Sequence, residues 1–256
     1  MTVLAAVVIG CAASVLLAVA VWALSVRLRD VSIVDIAWGW LVTMPALVAA
    51  AQLPSGPRAV VVLALATLWA ARLSAYIAWR HRGQPEDRRY QAIRARNQPG
   101  FAWKSLYLVF GLQAVLGMVV ALPLFAVVAK PIAWTALDGT ALALAVFGLL
   151  FEAVADAQLA RFKREPAHRG RVMDQGLWRY TRHPNYFGEF CFWWGIGLLG
   201  LATGAWWALA SPVLMTVLLL KVSGVTLLES DLRERRPGYA EYVARTNAFF
   251  PGSPRP

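Results

Sequence analysis

Residues 139–160 read GTALALAVFGLLFEAVADAQLA, residues 176–189 read GLWRYTRHPNYFGE, and residues 186–203 read YFGEFCFWWGIGLLGLAT. Two apolar runs long enough to cross a bilayer thus flank a dense polar and aromatic block. A transmembrane helix takes about 20 mostly apolar residues, and further runs of that kind lie near 2–24, 31–52, 59–79, 105–128 and 206–228. The expectation is an all-α polytopic membrane protein of seven transmembrane helices. Composition agrees: 59% hydrophobic and 15% charged residues, with mean hydropathy +0.55, leave too little polar surface for a soluble domain.

The first run, Val3 to Leu24, has no basic segment before it and no small-residue cleavage site after it, so it reads as a retained helix. Of the 25 Lys and Arg residues, Arg58 and Lys130 fall in even-numbered loops and Arg72 and Lys221 inside helices. The rest follow helices one, three and five or lie in the tail. The positive-inside rule then puts the N-terminus outside and the C-terminus in the cytoplasm, in a bacterial inner membrane. Cys11 and Cys191 sit in apolar surroundings without metal-ligand spacing, and neither a disulfide nor a metal is expected. With no repeat or soluble segment, residues 1–256 read as one transmembrane domain whose catalytic half is about 139–256.

Ionisable groups inside a bilayer are costly and concentrate at functional sites. Here they gather at one end. Asp35, Arg72, Tyr76, Glu152, Asp156, Glu189 and Lys221 all fall in the cytoplasmic half of their helices, which predicts one wet cavity open to the cytoplasm. Snorkelling cations neutralised by structural carboxylates would be the plainer account of any one of them. Arg72, Tyr76 and Arg80 recur at helical spacing, as do Glu152 and Asp156, and Asn185, Glu189 and Trp193. Trp193 and Trp194 are equally suited to an interfacial role.

Loop three carries seven cations from Arg80 to Lys104, and loop five carries Arg161, Lys163, Arg164, Arg169, Arg171, Arg179 and Arg182. Arginine grips phosphate bidentately, although anionic lipid headgroups or topology alone would also account for such charge. Loop five is long for a mere connection. Neither a GxGxxG nor a GxxxxGK[ST] is present, so a nucleotide would be held by helices and loops. Pro184 predicts the start of helix six, with Asn185 and Tyr186 in its first turn and its dipole facing an anion. His183, read alone, suits a capping role as well as a catalytic one, and His81 and His168 sit among arginines in loops.

The run Glu152 to Gln158 (EAVADAQ), then Arg171, the block GLWRYTRHPNYFGE, Trp193-Trp194-Gly195 and the tail from Arg236 to Thr246 together resemble the steroid 5α-reductase superfamily, and within it the bacterial DUF1295 branch. Val34 to Gly39 and the helix-three stripe resemble it in the N-terminal half. The resemblance implies a seven-helix reductase that transfers hydride from NADPH to an activated C=C bond of a steroid-like or other lipid-like substrate drawn from the membrane. It implies dinucleotide binding by Asp156, Arg171, Tyr180, Asn185 and Glu189, with Lys163, Arg182, His183, Tyr186, Trp193, Tyr242 and Arg245 around them. It implies that Tyr76 hydrogen-bonds the substrate carbonyl. The family's Gln-Glu pair on helix two has no counterpart, since no glutamate precedes Glu86, and Asp35 is the nearest replacement. NADPH is expected between loops three and five.

The Arg182-His183-Pro184-x-Tyr186 core is also similar to isoprenylcysteine carboxyl methyltransferases, which implies S-adenosylmethionine as the alternative cofactor, with Glu229, His183 and Asn185 near it. The Glu152/Asp156 and Asn185/Glu189 pairs match the reductase side better. A non-catalytic lipid-binding or transport protein is a third class; the paired broken helices and internal symmetry usual in transporters are not visible. Nucleic acid is not an expected partner.

Overall fold

The computed structural model describes residues 1–222 and 238–255. Among them the regular structure is entirely helical. Five helices are long and apolar enough to cross a membrane: α1 (Val3–Leu28), α2 (Ile33–Ala50), α3 (Pro57–His81), a continuous segment Phe101–Val120, and α8 (Ala136–Arg164). The segment Phe101–Val120 is built of α5 (Phe101–Ser105), a π-helical turn (Leu106–Gly111) and α6 (Leu112–Val120). α9 (Pro184–Leu201) begins where Pro184 predicts, and a shorter apolar helix covers Trp206–Val222 and contains α10 (Ala210–Val217). Outward-facing Leu4, Leu16, Leu68 and Val115 are each more than half exposed, as side chains that meet lipid rather than water are.

The chain divides into two compact units, Met1–Thr135 with Leu199–Ala210 and Ala136–Leu198 with Ser211–Pro256. In the first, α1, α2 and α3 pack in sequence through small residues. A Cβ at Gly10 would fall 2.2 Å from the Pro45 carbonyl oxygen and one at Gly39 2.8 Å from Ala70 Cα, so both contacts are backbone against side-chain-free backbone. Ser14 Oγ donates to Leu41 O at 3.0 Å and Ser74 Oγ to Ile36 O at 2.6 Å, polar ties that cost little between helices. Buried Arg58 at the start of α3 donates to Ala133 O at 2.8 Å and stacks over Trp134.

Two differences from the sequence reading concern helix ends. The run expected at 105–128 starts four residues earlier and breaks at Ala121, where α7 (Leu122–Ala129) takes over with Pro123 in its first turn. The proline lacks an N–H and its ring crowds the carbonyl of Val119, four residues back, so one continuous helix is not available. The run expected at 139–160 extends to Ala136–Arg164, because Arg161, Lys163 and Arg164 suit the negative end of the helix dipole and Asp138 its positive end. Loop three is also more ordered than a connection. It holds α4 (Arg88–Arg96), capped by Asp87, whose carboxylate accepts the Arg89 N–H at 2.9 Å.

Candidate functional site

The second unit is organised by α8 against α9. A Cβ on Gly148 would lie 2.2 Å from Phe192 N, one on Gly188 2.5 Å from Glu152 N, and one on Gly195 2.5 Å from Ala145 N. Only glycine permits two backbones to approach so closely along about two turns. This crossing fixes the polar side chains where α9 begins. Asn185 Nδ2, in the first turn of α9, donates to Asp156 Oδ1 of α8 at 3.2 Å. Glu152 lies one turn before Asp156 and against Gly188, and Glu189 lies one turn after Asn185. Glu152, Asp156 and Glu189 are all buried, as are His183 and Trp193. The His183 ring stacks parallel on Tyr186 at 5.5 Å. Three carboxylates and an amide thus share the start of one helix crossing, a set that suits hydroxyl and amide groups of a ligand.

The loop over this end is held from below and from the tail. Trp178 Nε1 donates to Ala155 O at 3.1 Å, and the Leu177 N–H donates to Gln158 Oε1 at 2.9 Å, beside a left-handed Gly176 that a Cβ would drive into the Gln158 amide. From α11 (Tyr239–Arg245), the Tyr242 hydroxyl donates to Trp178 O. Thr181 Oγ1 donates to Phe249 O at 2.8 Å, Arg182 N to Asn247 O at 2.9 Å, and Arg182 Nη1 to Thr246 O at 2.6 Å. Arg245 meets Asp174 at 2.7 Å.

The residues expected at a site therefore fall into groups. Asp156, His183, Asn185, Tyr186 and Glu189 gather at the base of α9, and buried Trp193 lies one turn beyond Glu189. Arg182, Tyr242 and Arg245 make contacts that hold the loop, so their geometry supports the site's walls. Lys163, Arg171 and Tyr180 stand exposed on the end of α8 and on the loop, together with Arg161, Arg169 and Arg179. The sequence reading missed Trp178 and Thr181 as loop anchors; both lie inside the quoted block, but their backbone partners carry no sequence signal. Glu229, Arg236 and Pro237 lie outside the described residues.

In the first unit, Tyr76 is half-buried on α3, its ring 6.0 Å from Trp79 and under the Arg80 guanidinium at 5.9 Å. Asp35 turns to α4: it accepts from Tyr90 Oη at 2.6 Å and from Arg89 Nη2 at 2.8 Å, and Gln113 Nε2 donates to the same phenol at 3.3 Å. Burial pushes the Tyr90 phenol well above its ordinary range, and the Asp35 charge adds to that. For Asp87, burial works towards a higher pKa, but hydrogen bonds from the Arg89 side chain and N–H and the charges of Arg89 and Arg80 outweigh it and lower the carboxyl. Asp30 is likewise lowered, burial being overcome by His81 and Ser32. Arg89 is raised because Asp35 and Asp87 more than offset its burial. The sequence signal for this arrangement was the absence of any acid but Asp35 inside α1, α2 and α3, which leaves a buried-end carboxylate in need of a cation.

Among the described residues no cluster of His, Cys, Asp and Glu has the arrangement of a metal site. A family model described as "Protein of unknown function (DUF1295)" matches residues 21–246. Neither the curated proteins nor the solved structures contain a match.

Proposed function

Because the chain belongs to the DUF1295 family, whose description assigns no activity, we propose from the site and from the resemblance to steroid 5α-reductases that it is an NADPH-dependent membrane reductase of lipid-like enones. The observation that carries this reading is the Asp156–Asn185 pair, flanked by buried Glu152 and Glu189 and joined within the same unit by exposed Arg161, Arg169, Arg171 and Arg179. Carboxylates and an amide suit ribose hydroxyls and a carboxamide, and arginines suit phosphates. S-adenosylmethionine has the ribose but no phosphate, so the cationic loop favours the dinucleotide over the methyl donor.

Bound there, NADPH would supply a hydride for the β-carbon of an enone; the C=C pair would shift to the bond between the α-carbon and the carbonyl carbon, the C=O pair would move onto oxygen, and a proton from water taken up at the α-carbon would give the saturated ketone. Tyr76, by the resemblance, donates the hydrogen bond to that oxygen, and Asp35 is the nearest replacement for the Gln-Glu pair that supports this tyrosine in the family. We further propose that α9 and the helix containing α10 complete seven spans, with the N-terminus outside, the C-terminus in the cytoplasm and the whole in a bacterial inner membrane.

The test is calorimetric titration of the purified protein with NADPH, NADH and S-adenosylmethionine. Binding of NADPH, lost in Asn185→Ala and Glu189→Ala variants that remain folded, is the expected result. Binding of S-adenosylmethionine alone would replace reduction by methyl transfer, and unchanged NADPH binding in both variants would move the site elsewhere. Tyr76→Phe is expected to keep nucleotide binding and lose turnover; full activity would remove its role.

A further inference from the structure

The first unit carries a cationic face separate from the Asp156–Asn185 pair and the arginines of the loop after α8. Residues 1–135 contain only four acids, Asp30, Asp35, Glu86 and Asp87. His81 meets Asp30, Arg89 meets Asp35 and Asp87, and Arg94 meets Glu86 at 2.7 Å. All four acids are thus engaged within the α4 region. Arg27 and Arg29 at the end of α1, Arg96 at the end of α4, and Arg82 after α3 remain exposed.

The elements that carry Arg27, Arg29 and Arg96 meet at an aromatic edge. Trp22 Nε1 of α1 donates to Ala102 O at 2.8 Å, and its ring lies 5.1 Å from that of Trp103. Arg94 donates to Arg29 O at 3.4 Å and stacks over Phe101 at 4.7 Å. Lys104 Nζ reaches Asn97 O at 3.2 Å. The ends of α1 and α4 and the start of α5 are therefore tied into one locale. There Trp103 and Tyr107 are 70% and 62% exposed. Exposed Trp and Tyr at the end of a membrane helix sit at headgroup depth, and Lys and Arg at that depth attract anionic lipid.

We propose that Arg27, Arg29, Arg96, Lys104, Trp103 and Tyr107 form a binding site for the phosphate headgroup of an anionic phospholipid. The exposed rings rest at the glycerol level and the cations take the phosphate. A free phosphate would satisfy the cations but give the two exposed rings nothing to cover, which is why a lipid is the favoured source. The site is independent of any nucleotide.

The experiment is native mass spectrometry of the full chain released from micelles holding equal phosphatidylglycerol and phosphatidylcholine. The expected result is a preference for phosphatidylglycerol adducts of roughly ten-fold, lost when Arg27, Arg29, Arg96 and Lys104 are all changed to Gln. Should that variant not fold, Arg27→Gln/Arg29→Gln and Arg96→Gln/Lys104→Gln are each expected to reduce the preference to a few-fold. Replacing the three arginines by Lys is expected to keep it. Equal binding of the two lipids, or an undiminished preference in the Gln variants, would overturn the proposal. Complete displacement of the lipid adducts by millimolar inorganic phosphate would overturn it in favour of a free-anion site. Failure of NADPH binding would leave this result untouched.

Discussion

Tyr90 shows how one side chain connects sequence to architecture. Its hydroxyl donates to Asp35 at 2.6 Å and accepts from Gln113, so a loop residue closes against α2 and the segment Phe101–Val120. Hydrogen bonds to charged groups contribute about 1.5–3 kcal/mol. Tyr90→Phe is therefore expected to lower the thermal midpoint by several degrees without affecting nucleotide binding, as read by scanning calorimetry with and without NADPH. An unchanged midpoint would show that Arg89 alone satisfies Asp35. At Asn185 the residue was legible from sequence because Pro184 sets the start of α9 and helical spacing does the rest. Arg182, Tyr242 and Arg245 were legible as important but not as loop anchors. Their partners are backbone carbonyls and a loop aspartate more than 60 residues away, which no local pattern encodes.

At the scale of elements, two carboxylates have lowered pKa values in the folded protein: Asp87, which caps α4 and binds Arg89, and Asp30, which ties the end of α3 through His81 to the start of α2 through Ser32. A lowered carboxyl stabilises the fold above its unfolded pKa, and that contribution is lost as pH falls through the folded value. The α4 attachment is accordingly expected to be insensitive to pH above about 5 and to weaken on acidification below the ordinary value of 3.8. Hydrogen exchange of the α4 amides at stepped pH checks it. A fall in the protection factors, taken relative to the intrinsic base-catalysed rate, on going from pH 5 to pH 7 would contradict it. The crossing of α8 and α9 gives a second prediction. Gly188→Val should cost about 1–3 kcal/mol through overpacking against Glu152 and separate Asn185 from Asp156. Gly139→Ala on the same α8, where a Cβ meets nothing within 4 Å, should be neutral. Equal melting of the two variants would refute the close approach. Sequence showed the long apolar helices well, because hydropathy reads them directly. α4 escaped because RRYQAIRAR has only Tyr90 and Ile93 as an inward pair, too short an apolar pattern to separate from a loop.

For the whole molecule, the membrane class followed from composition, and the five long apolar helices bear it out. The division into two units did not follow from it, because both halves share the same apolar texture and a contact boundary leaves no mark in hydropathy. The second unit depends on its tail: Phe249 and Phe250 pack on Phe187 and Phe190, and Gly252 N donates to Tyr180 O at 3.0 Å. Ending the chain at Thr246 is expected to lower the melting temperature by roughly 5 °C or more and to expose the loop at 175–182 to proteolysis. Undiminished protease resistance would show that the loop stands without the tail.

The tie between Thr181 and Phe249 spans 68 positions of chain. During synthesis at about 5–20 residues per second, the helices on either side of that loop exist for several seconds before the partner of Thr181 has been made. On the proposed reading, ligand capture at the base of α9 would therefore be an event of maturation. A nascent chain would cross its membrane with most of its helices and still lack the tail contacts that hold the loop over its ligand.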